Sequence, residues 1–436
     1  MSNLELGFWS FPVLLLMILA RAPIGLAMLI CGSGGLWLAT GSPNMILAKM
    51  KTETFSTFSN YSLSIIPMFL LMGQFATLGG MSSALFRAAE AFLGHRRGGL
   101  GMAAIGACAG FGAICGSSLA TAATMGQVAL PELKRAGWSG GLATATLAAG
   151  GTLGILIPPS VVLVLYAILT EQNIAKLFLA AFVPGLLAAL FYMIVIRLYL
   201  ARYPDEAGTV PRAGWAERGR AMMAVWPVLL VFALVVFGIY DGWFTPTEGA
   251  AVGAAGTGLI ALFSGRLNLT NLRGALRHTA SGSGMVFFII LGAAIYNSFL
   301  ALTQVPQTLS SWVIEAGLPP FGVLAAILLV YLLLGMLMDS LSMILLTIPI
   351  FFPMMMSLDF GLTPEEMAIW FGILVLIVVE VGLITPPVGM NLFVLAGLDP
   401  DTPVTATYSR AIWFVAADIL RVLLLAAFPA IVLFAI

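Results

Sequence analysis

Apolar residues fall in long unbroken blocks along most of this chain, and the blocks predict its elements. Runs long enough to cross the hydrocarbon of a bilayer lie at 4–20, 22–40, 61–80, 139–169, 174–201, 221–240, 246–265, 281–303, 365–397 and 407–435. Two further stretches, 98–133 and 319–357, are too long for one span. Each is interrupted near its middle, at Gly116-Ser117-Ser118 and at Met338-Asp339-Ser340, and each predicts a re-entrant helical hairpin. Segments 81–97 and 267–280 are amphipathic. The first opposes Leu85, Phe86, Ala89, Phe92 and Leu93 to Arg87, Glu90 and Arg96; the second opposes Leu269, Leu272 and Leu276 to Arg273 and Arg277. Both read as helices lying in the membrane plane, either plain connectors or arms bracing a mobile element.

The blocks repeat. Residues 115–131 align with 337–353 at a shift of 222, and Leu156-Ile157-Pro158-Pro159 matches Ile384-Thr385-Pro386-Pro387 at a shift of 228. One half spans 1–202, with its hairpin at 98–133 and a proline-broken helix at 139–169. A cytoplasmic linker at 203–220 leads to the other half, 221–436, with its hairpin at 319–357 and broken helix at 365–397. Each half holds five full crossings, an odd number, so the second half is expected upside down. Inverted repeats with paired broken elements mark alternating-access transporters. The expected fold is an all-α polytopic membrane protein of about ten to eleven spans.

Composition narrows this further. Charged residues make up 9% of the chain and hydrophobic ones 61%, with mean hydropathy +1.06; a soluble domain carries about a quarter charged residues. The net charge is zero, but the charges are unevenly placed. With each hairpin entering and leaving on one side, fifteen Arg and Lys residues share one face, and only Lys49, Lys51 and Lys176 fall on the other. Basic loops mark the cytoplasm, which puts both termini outside. The first apolar run has no basic leader before it and reads as a span. Cys31, Cys108 and Cys115 sit in apolar segments without paired or metal-like spacing, as packing residues do. His95 and His278 lie in loops beside arginines.

Chemistry concentrates at the breaks. Prolines 158 and 159 take an N–H from the carbonyls of Gly154 and Ile155, and prolines 386 and 387 from those of Gly382 and Leu383. An orphaned carbonyl in hydrocarbon needs a partner, and a dehydrated sodium ion is one. The tips add Ser117, Ser118 and Thr121 on one side and Asp339, Ser340 and Ser342 on the other, together with helix N-termini that favour anions. Ser117 and Asp339 also fit simple N-caps, which is compatible with ion binding. Gly150, Gly151 and Gly154 suit either helix packing or ligand contact. Glu380 suits either a contact shaping the site or a buried strut, and Asp418 and Arg421 are spaced to pair with each other.

Residues 116–121 (Gly-Ser-Ser-Leu-Ala-Thr), 154–160 (Gly-Ile-Leu-Ile-Pro-Pro-Ser), 245–250 (Thr-Pro-Thr-Glu-Gly-Ala) and 380–393 resemble the large membrane subunit of tripartite ATP-independent periplasmic (TRAP) transporters nearly end to end. The resemblance implies sodium-driven, elevator-type uptake of a small organic anion, a carboxylate, across the inner membrane. It also implies two partners, a small membrane subunit and a periplasmic substrate-binding protein. The small subunit is expected on a separate chain, because the extra spans of a fused form are not seen here. Carried over by motif, Ser117, Ser118, Thr121, Gly150, Gly151, Thr152, Gly154, Pro158 and Pro159 form one sodium site. Asp339, Ser340, Gly382, Thr385, Pro386, Pro387, Gly389 and Asn391 form the other, with substrate between the tips. Sodium is the coupling ion and no other cofactor is expected, nor any nucleic-acid partner. An intramembrane enzyme would need clustered acids, histidines or a metal, and a respiratory channel would need charged residues strung across the midplane. Neither pattern is present.

This topology predicts that single cysteines at Pro204 and Thr363, in a cysteine-free background, react with an impermeant maleimide from opposite faces of the membrane. Labelling of both from one face would remove the inverted-repeat assignment.

Overall fold

A computed structural model describes residues 1–436. The chain is helical, without strands. In order, the helices are α1 (Asn3–Leu19), α2 (Ile24–Thr40), α3 (Pro43–Ser59), α4 (Ile65–Leu78), α5 (Met81–Leu93), α6 (Gly99–Cys115), α7 (Ser118–Arg135), α8 (Gly140–Leu156), α9 (Val161–Thr170) and α10 (Ile174–Arg202). They continue as α11 (Trp215–Tyr240), α12 (Pro246–Phe263), α13 (Leu269–Thr303), α14 (Val305–Glu315), α15 (Pro320–Gly335), α16 (Ser340–Met356), α17 (Pro364–Leu383), α18 (Met390–Leu398), α19 (Val404–Ala427) and α20 (Ala430–Leu433). Both predicted hairpins appear as helix pairs, α6–α7 and α15–α16. Both predicted broken helices appear as α8–α9, bent by 42°, and α17–α18.

By length and hydropathy alone, five helices suffice to cross a membrane, or six when α8 and α9 count as one. The other apolar helices, α1, α2, α6, α15 and α16, have 16 or 17 residues, which is at the short end for a span. Helix starts follow local chemistry. Thr245 and Thr363 each form a capping box with the Glu three residues on, and each precedes a proline at the first helical position. The family-like segment 245–250 is thus the start of α12.

The two broken helices form the centre. Nearly every residue of α8, and all of α17 from Met367 to Leu383, is buried. A helix apolar on all sides belongs in the core, and here the other elements sheathe it. α6 and α7 pack on α8, while α15 and α16 pack on α17. The halves interlock: α19 lies on α8, α16 on α9, and α18 on α7. Tyr166 of α9 donates to the Ala368 carbonyl of α17 at 2.5 Å, and Thr144 of α8 bonds Thr407 of α19 at 2.8 Å. Around this body, α1–α4 and α11–α13 pack among themselves, with α13 close on α2 and α4 on α12.

Several expectations change. Segment 267–280 is not a separate in-plane helix but the first part of the 35-residue α13. No proline or cap interrupts it, and Ala275, Thr279 and Ser283 form its buried face while Leu269 and Leu276 are exposed. In α5 the buried stripe is Met81, Ser82, Leu85, Phe86, Ala88 and Ala91; Phe92 turns outward, with the Arg218 guanidinium 5.5 Å from its ring centre. The linker is shorter than expected, because α11 begins at Trp215. Helices α3 and α14 lie outside the apolar runs of the sequence and start at Pro43 and at Val305-Pro306.

The linker is strapped to the core. The Glu206 carboxylate accepts hydrogen bonds from Arg410 at 2.7 Å and Ser139 at 2.7 Å, and the Glu206 carbonyl accepts the Ser139 N–H at 2.9 Å. Burial would raise the Glu206 carboxyl, but bonds from Arg410, Ser139 and Tyr199 outweigh it and hold the group below its ordinary range. A carboxylate depressed in this way stabilises the fold above its unfolded pKa, and loses that contribution as pH falls through the folded value. Melting of the purified protein should therefore fall more steeply below about pH 5 in the wild type than in Glu206→Gln. Parallel curves for the two would show that the strap carries no stability.

Candidate functional site

The first tip is built by a sharp change of backbone direction. Gly116 ends α6 at φ +63°, a left-handed conformation that glycine adopts without strain. Ser117 is then extended, and its hydroxyl caps α7 by accepting the Ala120 N–H at 3.4 Å. A methyl group on Gly116 would stand 3.2 Å from the Pro159 carbonyl, so the tip lies against the first Pro-Pro break. Ser160 caps α9 there, which sets the N-termini of α7 and α9 side by side.

Gly154 is where α8 meets this tip. A methyl there would fall 2.5 Å from the Thr121 hydroxyl oxygen and 2.7 Å from the Ser117 carbonyl. The Thr121 hydroxyl is fully buried beside the Cys115 thiol and makes no hydrogen bond to oxygen or nitrogen. Prolines 158 and 159 supply no N–H to the last turn of α8. Ser117 and Thr121 thus bring a carbonyl and a hydroxyl oxygen together against Gly154, with the Pro159 carbonyl close by, in a compact cluster of oxygens. Hard cations such as sodium take oxygen ligands of this kind.

The second tip satisfies its own groups. Asp339 caps α16, accepting from the Ser342 N–H at 3.1 Å and the Ser342 hydroxyl at 2.5 Å. The Val381 carbonyl takes the Ile384 N–H and the Thr385 hydroxyl, and the Gly382 carbonyl takes the Thr385 N–H at 3.1 Å. The Gly382 carbonyl is therefore not freed by the proline pair as the sequence suggested, because a tight turn at Thr385 claims it first. The Tyr408 hydroxyl donates to the Pro387 carbonyl at 2.7 Å. Gly389, at φ +63°, lies against the carbonyls of Leu383 and Thr385.

Other expected residues divide. Asn391 reaches from α18 to α8, donating to the Ala148 carbonyl at 3.1 Å beside Gly151, and its buried side-chain oxygen is unpartnered. Gly150 instead faces Cys108, and Thr152 bonds away from the tip to Tyr192 at 2.9 Å. Tyr192 continues to Asp418 at 2.7 Å, and Asp418 pairs with Arg421 at 2.7 Å in a wholly buried ion pair. The three cysteines are buried and unpaired.

Two features of the packing complete the site. Each first hairpin helix crosses its broken helix glycine on glycine. A methyl on Gly112 would be 2.6 Å from the Gly154 Cα, and one on Gly382 would be 2.6 Å from the Gly335 Cα. Gly154 and Gly382 stood out in the sequence, but their partners did not. The other feature is Glu380, which accepts the hydroxyls of both tip serines, Ser118 and Ser340. Its depth in an apolar helix was a visible signal; its partners were not.

The family description "Tripartite ATP-independent periplasmic transporter, DctM component" matches residues 11–431. The chain belongs to this family. It is a TRAP transporter large permease, a multi-pass membrane transporter rather than an enzyme. A C4-dicarboxylate TRAP transporter large permease, DctM, of Pseudomonas aeruginosa is 40% identical over 382 residues, 87% of each chain. The sialic acid large permease SiaM of Vibrio cholerae is 30% identical over 385 residues, again 87% of each. Among solved structures, the Alcanivorax borkumensis YdaH transporter superposes with a TM-score of 0.65 over 98% of both chains, at 16% identity, a likeness of fold.

Helix crossings this close predict the effect of added bulk. Gly382→Ala in the permease should lower thermal stability by about 1–3 kcal/mol, because the methyl meets backbone that cannot yield. Gly397→Ala, where a methyl meets nothing within 4 Å, should not. Equal melting of both variants in detergent would refute the close crossing.

Proposed function

We propose that this permease is the transport subunit of a sodium-coupled uptake system for a small carboxylate across the inner membrane. It would work with a small membrane subunit and a periplasmic binding protein that delivers the substrate. The observation that carries the reading is the first-tip oxygen cluster, where the buried Thr121 hydroxyl, without an oxygen or nitrogen partner, lies with the Ser117 carbonyl against Gly154. Burying an unsatisfied hydroxyl costs on the order of 1–3 kcal/mol, and a dehydrated sodium ion at that point would offset the cost. Ser118 follows Ser117 in this cluster and Gly151 meets Asn391 about one turn away along α8, while Asp339, Ser340, Gly382 and Gly389 belong to the tip and break of the other half.

A four-carbon dicarboxylate is the favoured substrate. Relatives named for C4-dicarboxylates in three organisms are 33–40% identical to this chain, whereas those named for sialic acid or ectoine stand at about 30%. The N-termini of the tip helices and of the resumed halves α9 and α18 provide the positive dipole ends that a carboxylate needs. The two hairpins and two broken helices pack as one body against α1–α4 and α11–α13. We read this as a carrier sliding against a scaffold, with α5 and the start of α13 as the connecting arms.

The test is uptake of labelled succinate into proteoliposomes holding both membrane subunits, with the binding protein outside. Uptake should follow an imposed sodium gradient without ATP. Thr121→Val, which removes one oxygen at constant volume, should raise the half-saturating sodium concentration about tenfold, equivalent to roughly 1.4 kcal/mol. Uptake indifferent to sodium would end the coupling proposal, and an unchanged requirement in Thr121→Val would remove this cluster from it.

A further inference from the structure

Ser118 and Ser340 occupy equivalent places in the two halves, 222 residues apart. Each is the first residue of its tip helix, directly after the capping residue. Both hydroxyls donate to one carboxylate: Ser340 reaches Glu380 Oε1 at 3.0 Å, and Ser118 bonds Oε2. Ser340 belongs to the same half as Glu380, and Ser118 comes from the other half. Glu380 is 1% exposed and takes part in no ion pair.

The repeat itself shows that this arrangement is not a by-product of symmetry. At the shift of 228 that superposes the two Pro-Pro breaks, the counterpart of Glu380 is Thr152. Thr152 turns the other way and bonds Tyr192 at 2.9 Å. Two equivalent serines therefore converge on a group that only one half possesses.

We propose that Glu380 is a positioning residue that ties both hairpin tips to one broken helix, so that occupation of the ion site at one tip sets the geometry of the other. Ser118 lies between Ser117 and Thr121, whose oxygens form the cluster at the first tip; Ser340 lies between Asp339 and Ser342 at the second. A tip that shifts to close around an ion moves its serine, and that serine pulls on a carboxylate already held by the other tip. Losing either bond leaves a carboxylate oxygen unpaired where water does not reach, so the tips move together rather than singly. Coupling of this kind is a free energy shared between two sites and appears as cooperativity.

The inference rests on the sodium reading, and equilibrium binding of radiolabelled sodium to the purified two-subunit membrane complex separates the two. Wild type should bind sodium with a Hill coefficient above one. Glu380→Leu should bring it to one by cutting both ties, and Ser340→Ala should do so by cutting one, with the number of sodium ions bound at saturation unchanged in both; a fall in that number in Ser340→Ala would make Ser340 an ion ligand and overturn the tether. Glu380→Gln, whose amide can still bond both serines, should keep it above one. Ser340→Ala removes only a hydroxyl, so it decides the matter if Glu380→Leu does not fold. A purely structural role for Glu380 would lower melting temperature in all the variants and leave the Hill coefficient unchanged. A wild-type coefficient of one, or one unchanged in both Glu380→Leu and Ser340→Ala, overturns the tether and leaves sodium binding standing. Absence of sodium binding by the wild type overturns both.

Discussion

Backbone groups at helix breaks have no water to turn to in a membrane, and the rest of this fold is arranged around that constraint. Within the hairpins and broken helices the chain stops and restarts four times, at 116–117, 157–160, 336–339 and 384–389. Each break strands carbonyls on one side and N–H groups on the other. The structure buries Gly116 and all of 157–160 between packed helices, while Leu337 and Pro387 leave the second-half breaks partly exposed. Ser117, Ser160 and Asp339 cap three of the restarting helices with their side chains, and Gly389 begins the fourth in a left-handed conformation. Such enclosure requires very close helix crossings, and only glycine permits them. That explains Gly112 on Gly154 and Gly335 on Gly382.

Enclosure also requires the halves to interlock. Neither broken helix is covered by its own half alone: α19 lies on α8, α16 on α9, and α18 on α7. Polar contacts sit at these seams. Asn391 reaches the Ala148 carbonyl, Tyr166 the Ala368 carbonyl, and Ser118 the Glu380 carboxylate. In a low-dielectric interior a bond of this kind fixes register, because each mismatched alternative strands a polar group. The four broken elements are thereby held as one body.

The sequence carried the breaks themselves because their signals are local. A proline pair removes two donors wherever it stands, and Gly-Ser-Ser after an apolar run ends one helix and caps the next. Elements with weaker local signals were read differently. α3 and α14 are too polar to fall within the apolar runs, while α13 has nothing to stop it at Ser281-Gly282 and so runs on through an expected boundary. Tertiary partners were out of reach. Nothing local to Glu380 shows that Ser118, 262 residues away, will meet it. Thr152 lies within a stretch of candidate residues, yet the helical turn directs it to Tyr192 and the Asp418–Arg421 pair. The four-residue offset between Gly150 and Gly154 is likewise silent on which of them faces the tip. Packing of α6 decides it, by setting Cys108 against one and Gly112 against the other.

The two halves also differ in how far their polar groups are already engaged, and under the proposed sodium coupling this difference would bear on ion entry. At the first tip the Thr121 hydroxyl, and about one turn away beside Gly151 the Asn391 side-chain oxygen, are buried without oxygen or nitrogen partners. A cation arriving there meets oxygens whose separation from water has already been met by the packing of the fold, so little must be undone. At the second tip Asp339 is bonded twice by Ser342, the Gly382 carbonyl by Thr385, and the Pro387 carbonyl by Tyr408. An ion entering there has to replace hydrogen bonds that exist, each worth about 0.5–1.5 kcal/mol net. Equal motifs in the two halves therefore do not make equal sites. The inequality arises from Thr385 and Ser342, whose positions in the first half are filled by residues without those bonds: Ile157, an apolar side chain, in place of Thr385, and Ala120, which offers only its backbone N–H to Ser117, in place of Ser342.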